Sequence, residues 1–239
     1  MITLLTLVLA AVPSMAAETD YLVVDVRTRQ AIEQRWADAE VPIPVGSLVK
    51  PFVAAAWNGP FPEFVCRGKA DHCWLARGHG RLQFREALAQ SCNAYFLNLA
   101  RGVETDSLHL VLAKFGLTLP AAETPEARIG LGKEWKIAPV ALARAYGELA
   151  SRAGEPRIDE ILDGLKLSAV SGTSSAVGRG EMAKTGTAPC VAAKKHAGDG
   201  FTVVIDPADA PRIVLLVRVH GVPGAVAAKT AASILRQVR

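Results

Sequence analysis

The sequence predicts an α/β chain of the α+β type: an antiparallel sheet flanked by terminal helices, with a helical lobe inserted between its strands. Three observations carry this reading. One β-rich run, YLVVDVRT from Tyr21, stands near the start; apolar residues at helical spacing fill the middle; three strand-like runs and an Ala-rich tail close the chain. A sheet built from both ends of the chain around an inserted helical segment satisfies that order. The sheet lobe then covers about 17–46 and 176–239 and the helical lobe about 47–175. With 239 residues, half of them apolar, one sizeable core is affordable and disorder is excluded.

Taken in order, MITLLTLVLAAVPSMAAE opens with about a dozen apolar residues and ends in a small-x-small pattern at Ser14-Met15-Ala16. It reads as a secretory signal over 1–16, although no Lys or Arg precedes the apolar run, and an uncleaved anchor is the minor variant. The expected location is therefore periplasmic or otherwise extracytoplasmic. YLVVDVRT is a strand by its β-branched content. LVKPFVAAAW reads as a helix. The stretch from Gly59 to Gly80, dense in Gly, Cys and His, reads as an irregular loop. RLQFREALAQSCNAYFLNLARG has helical spacing with a break near Ser91. A further helix starts near Ala138 and is ended by Gly154. GEMAKTGTA, FTVVIDP and RIVLLVRVHG are strands, and the tail from Gly224 is a helix. The net charge of +4 is mild and Lys and Arg are scattered, which excludes a nucleic-acid surface. The four tryptophans read as packing residues.

Three short motifs carry chemistry. Ser47 and Lys50 are three apart at a predicted helix start, where the positive end of the helix favours a developing anion. An amine there can take the hydroxyl proton once burial lowers its pKa. Ser91-Cys92-Asn93 offers a hydroxyl that can relay protons and an amide that can hold the lysine or a substrate carbonyl. Lys184-Thr185-Gly186-Thr187 lies on a predicted strand: a lysine can draw a carboxylate, a threonine can hydrogen-bond it, and the glycine lets backbone approach closely. Each motif alone is commonplace, as an N-cap serine with a solvated lysine, a surface Ser and Asn, or a strand-edge lysine.

Together, and in this order, Ser-x-x-Lys, a Ser-x-Asn triplet and Lys-Thr-Gly are the signature of penicillin-binding proteins and class A β-lactamases. From about Tyr21 to its end the chain resembles a minimal, class B (elongation-type) penicillin-binding transpeptidase domain. CWLARGHGRLQFREALAQSCNAYFLNLA resembles the region around that family's second motif, and RIGLGKEWKIAPVALARAYGELASRAG its Gly-x-Gly and Pro-helix segment. Larger members carry a pedestal domain ahead of the first strand, and few residues here separate Ser91 from Lys184, so the helical lobe is expected to be pared down.

The resemblance implies the β-lactamase/transpeptidase-like fold and a set of roles. Ser47 would attack the carbonyl, Lys50 would be its base, Ser91 would pass the proton to the leaving amine, and Asn93 would orient Lys50 and the substrate. Lys184 and Thr185 would bind a carboxylate, and the N–H groups of Ser47 and Thr187 would hold the oxyanion. The substrate would be the D-Ala-D-Ala end of a peptidoglycan stem, attacked for transpeptidation or carboxypeptidation, with β-lactams as inhibitors and a cell-wall protein as a candidate partner. On this resemblance catalysis would need no cofactor. The alternatives are a serine β-lactamase-like hydrolase and a catalytically quiet homologue that binds stem peptides or a partner. For the hydrolase, none of Glu104, Glu123, Glu126, Glu134 and Glu148 sits in a segment that matches the lactamase loop.

The cysteines leave two readings open. In an exported chain Cys66 and Cys73 could form a disulfide across a Gly-containing loop. Alternatively Cys66, Cys73, His79 and Cys92, running C-x6-C-x5-H-x12-C, make a closed tetrahedral set for structural zinc. Cys190 remains outside both.

Overall fold

The computed structural model describes residues 18–190 and 198–239; the leader read at 1–16 lies outside the described residues. The chain enters through β1 (Thr19–Asp25), β2 (Ala31–Arg35) and the short β3 (Ile43–Pro44). A 3-10 turn over Gly46–Val49 runs directly into α1 (Lys50–Ala55). Next come β4 (Phe64–Cys66), β5 (Gly80–Leu82), α2 (Phe84–Ala89), α3 (Asn93–Arg101), α4 (Thr105–Lys114), α5 (Pro125–Arg128), the two-residue β6 (Lys136–Ile137), α6 (Pro139–Ser151) and α7 (Pro156–Ser171). The end of the chain supplies β7 (Met182–Ala188), β8 (Asp199–Asp206), β9 (Ile213–His220) and α8 (Gly224–Val238).

The main sheet is antiparallel, in the order β2-β1-β9-β8-β7, so both ends of the chain meet where β1 pairs with β9. Side chains alternate across a strand, and both faces of this sheet are covered. Leu22 and Val24 of β1, Phe201, Val203 and Ile205 of β8, and Val214 and Leu216 of β9 join the large core beneath the helices. Their neighbours Tyr21, Val23, Val204, Leu215 and Val217 join a second core under α8. This two-sided burial explains why the strands read as continuous apolar runs. Each fully buried Val, Leu or Ile contributes about 1.5–3 kcal/mol. The small residues Ala227 and Ala231 of α8 let that helix lie close on the sheet. On the opposite face α6 packs across β1, β9 and β8.

Two parts of the helical region went beyond the sequence reading. The Cys-rich stretch contains a small hairpin, with Cys66 of β4 opposite Gly80 of β5. That register places Cys66 beside His79. The helices α4 and α7 had not been read from the sequence, although Ile158, Ile161, Leu162 and Leu165 of α7 are spaced for one buried face. The expected break near Ser91 is present: α2 stops at Ala89, Ser91 adopts a left-handed φ of 51°, and α3 begins at Asn93.

Candidate active site

The turn that carries Ser47 is fixed by two glycines. Gly46 has φ +61°, and a Cβ added there would fall 2.4 Å from Thr187 O and 2.9 Å from Thr187 N. A Cβ on Gly186 would fall 2.6 Å from Val45 O. Strand β7 and the turn therefore meet backbone to backbone, with no room for a side chain between them. The close approach that Gly186 allows is to this turn of the chain itself. It sets Ser47 across from Thr187, on a cavity of about 200 Å³ whose wall also includes Ser91, Asn93, Thr185 and the first turn of α8.

Beneath that wall lie two fully buried lysines. Lys50 Nζ donates to Asn93 Oδ1 at 2.7 Å and to Ser91 O at 2.9 Å, and lies 3.4 Å from Ser91 Oγ. Burial lowers its pKa to about 7, against the opposing pull of the Cys92 and Cys73 sulfurs. Lys184 Nζ donates to Ser91 Oγ at 2.8 Å and to Thr185 O at 2.7 Å. Burial, reinforced by the positive charge of Lys50, holds it well below the usual lysine range. With amines bonded to its oxygen, the Ser91 hydroxyl can direct its own proton into the cavity that it lines. Its left-handed backbone is held by Ser91 N–H donating to Leu88 O at 3.1 Å and by the Lys50 bond to Ser91 O. A strained residue so over-determined is a mark of functional sites.

The structure thus brings all three sequence motifs to one place. Lys184, expected to draw a substrate carboxylate, is fully buried and bonded to Ser91, and Thr185, Gly186 and Thr187 of its motif line the cavity. The Gly224 N–H donates to Thr187 Oγ1 at 3.0 Å, leaving the Thr187 hydroxyl proton available to a ligand. Trp74, read as a packing residue, is 53% exposed and lines the cavity. Thr173 was missed altogether; it lies 2.6 Å, oxygen to oxygen, from Thr185 and adds a third threonine to the wall. Its only sequence signal was a run of small hydroxyl residues after α7, which fits a loop equally well. None of the five glutamates weighed as a water-activating base lines the cavity, and Glu148 is bound to Arg29 and Arg152.

The Cys66–Cys73 disulfide is not formed, since all four cysteines are free. Instead His79 Nδ1 lies 3.6 Å from Cys66 Sγ and 3.5 Å from Cys73 Sγ, and Cys73 Sγ lies 3.8 Å from Cys92 Sγ. The four ligand atoms fall within 4.8 Å of one another. Burial pushes the Cys73 thiol up, but N–H groups of Leu75, Ala94 and Asn93 directed at the sulfur outweigh it and bring it below its usual value. Burial pushes the Cys92 thiol up.

Residues 72–238 match the penicillin binding protein transpeptidase domain. No curated protein matches the sequence. Among solved structures, Pseudomonas aeruginosa PBP2 in complex with WCK 5153 superposes with a TM-score of 0.76 at 18% identity, over 91% of this chain and 70% of that one. Helicobacter pylori PBP2, solved in a complex with MreC, gives a TM-score of 0.74 at 16% identity, over 93% of this chain and 60% of that one. The D,D-transpeptidase domain of an Eggerthella lenta peptidoglycan glycosyltransferase gives 0.77 at 16% identity, over 94% of this chain and 78% of that one.

Proposed function

The chain belongs to the penicillin-binding protein transpeptidase domain family, and on that premise we propose that it is a serine acyltransferase acting on D-Ala-D-Ala peptidoglycan stems outside the cytoplasm. One observation carries this reading above the rest. Ser47 is pinned against the Thr185–Thr187 strand, and a buried lysine of pKa about 7 lies beneath the same wall. Near neutral pH a substantial fraction of Lys50 is the free amine that a base must be.

In the proposed reaction Ser47 Oγ attacks the carbonyl of the penultimate D-Ala while Lys50 Nζ takes its proton. The N–H groups of Ser47 and Thr187 receive the oxyanion. Thr185 and Thr187 hold the terminal carboxylate, with Lys184 behind them and bonded to Ser91. The proton passes through Ser91 Oγ to the departing D-Ala nitrogen as the C–N bond breaks. An ester on Ser47 remains, and an acceptor amine or water reverses the sequence. Among the described residues no carboxylate lines the cavity, which supports slow attack by water on a penicilloyl ester, in contrast to a β-lactamase.

The test uses a fluorescent penicillin and a D-Ala-D-Ala pentapeptide supplied with a second D-amino acid. The expected result is a covalent label that persists for minutes, with exchange of the terminal D-Ala. Release of D-Ala without exchange would assign trimming. A label lost within seconds would assign a β-lactamase, and a folded protein that takes no label would be the quiet homologue. The leader read at 1–16 supports export. By likeness to the H. pylori PBP2–MreC complex, we also infer a protein partner in the cell wall machinery.

We further propose that Cys66, Cys73, His79 and Cys92 hold a structural zinc ion. Tetrahedral zinc at ordinary bond lengths sets S···S near about 3.8 Å and S···N near about 3.6 Å. The distances here are 3.8 Å for one sulfur pair and 3.5 and 3.6 Å for His79 to two sulfurs. When bound, the ion would brace the loop against Cys92, between Ser91 and Asn93. Chelation of the purified protein is expected to lower its melting temperature and slow penicillin labelling by about tenfold, with recovery on adding Zn²⁺. Full labelling and an unchanged melting temperature after complete metal removal would contradict it.

A further inference from the structure

A second group of donors lies where β7 ends, β8 begins and β9 ends. Ala188 pairs with Asp199, and Asp199 pairs with His220, so the strand register sets the end of β7, the start of β8 and the end of β9 side by side. Cys190 lies two residues beyond β7. Its sulfur, a carboxylate oxygen of Asp199 and a ring nitrogen of His220 lie within 4.8 Å of one another. From this geometry we propose that Cys190, Asp199 and His220 form a further site for a divalent ion of the zinc class.

Asp199 is only 2% exposed, yet its Oδ1 makes no hydrogen bond with any described residue. It nonetheless sits 3.2 Å from His220 Nδ1. A buried carboxylate oxygen without a donor carries a desolvation cost that some ligand must offset. Tetrahedral zinc sets an O···N edge of about 3.3 Å, so the pair is spaced as two ligands of one ion. The other side of the imidazole is arranged to match. His220 Nε2 lies 3.3 Å from Asp20 Oδ2, and that carboxylate is fixed by Arg218 through bonds of 2.8 and 2.5 Å. A histidine that binds metal through one nitrogen donates its other N–H to a carboxylate, which fixes the tautomer. With Nε2–H directed to Asp20, the Nδ1 lone pair faces Asp199, an arrangement that a shared metal ion satisfies. Thiolate, imidazole and carboxylate together are a donor set suited to Zn²⁺ or Co²⁺ rather than to Mg²⁺ or Ca²⁺. The ion would fasten the ends of β7, β8 and β9, beside the strand that carries Lys184–Thr187.

The full chain, stripped of metal and equilibrated with Zn²⁺ at a fixed free concentration, is compared by plasma mass spectrometry with Cys190→Ser and Asp199→Asn. Each variant is expected to bind one equivalent less than the unsubstituted chain. With Co²⁺, the difference spectrum between the unsubstituted chain and Cys190→Ser is expected to contain a thiolate-to-cobalt charge-transfer band. Cys190 is half-buried, so serine there should leave the fold intact, and thermal unfolding checks this. If Asp199→Asn does not fold, Cys190→Ser decides alone. Equal zinc content and a featureless difference spectrum would overturn the proposal and leave His220 as a cationic bridge between Asp20 and Asp199. These readouts do not depend on acyl transfer, so they stand or fall apart from the proposed activity.

Discussion

Replacing Lys50 by methionine is expected to slow penicillin acylation by about 10²–10⁴-fold, the range for losing a positioned general base. Lys50→Arg should fare no better, because a guanidinium keeps its proton throughout the accessible pH range. In the unsubstituted protein the acylation rate should climb with pH through about 7 and then level off, since the free amine is the active form. The same residue leaves a mark on stability. Lys50 titrates near 10.5 when unfolded and near 7 when folded, so the unfolded chain binds more protons between those values. Stability should therefore rise with pH across that window, and at neutral pH and below, the buried ammonium costs on the order of a few kcal/mol. In Lys50→Met the rise should become shallower, with Lys184, also depressed by burial, supplying what remains. Denaturant titrations at pH 7, 8.5 and 10 measure this. An undiminished slope in Lys50→Met would show that Lys50 is not the group responsible.

Gly46→Ala is expected to be nearly as damaging, although it removes no reactive group. The added methyl would fall 2.4 Å from Thr187 O at a φ of +61°, so the turn and β7 must separate. Separation moves Ser47 N–H away from Thr187 N–H, and loss of one oxyanion donor costs about 10²–10³ in rate. Gly116→Ala is the control. Gly116 also has positive φ, +68°, but nothing lies within 4 Å of its added Cβ. That change should lower stability by about 1 kcal/mol through backbone strain and leave the acylation rate alone. Labelling rates and melting temperatures of both variants separate the two effects. Equal losses of rate in both would mean that Gly46 acts through general destabilisation.

What could be read from the chain follows from what each feature depends on. The strands at Tyr21, Phe201 and Ile213 were visible because burial on both faces leaves an uninterrupted apolar run. Ser47, Lys50, Ser91, Asn93 and Lys184–Thr187 were visible because they stand in three short motifs whose residue types and spacings can be read from the chain alone. Thr173, Trp74 and the retreat of Lys184 behind Ser91 were not, because each depends on which distant segment lies opposite. The steric partner of Gly46 was hidden for the same reason: a glycine before a serine reveals a turn and not the strand pressed against it. The competition between a Cys66–Cys73 disulfide and a four-ligand cluster turned on a hairpin register that places His79 beside Cys66, and composition alone carries no register.

Peptide mapping by mass spectrometry after reaction with a β-lactam tests the central claim most directly. The account predicts one acyl adduct per chain, on the proteolytic peptide containing Ser47, and none in Ser47→Ala. An adduct on any other residue, or a folded protein that gains no adduct at all, would contradict it.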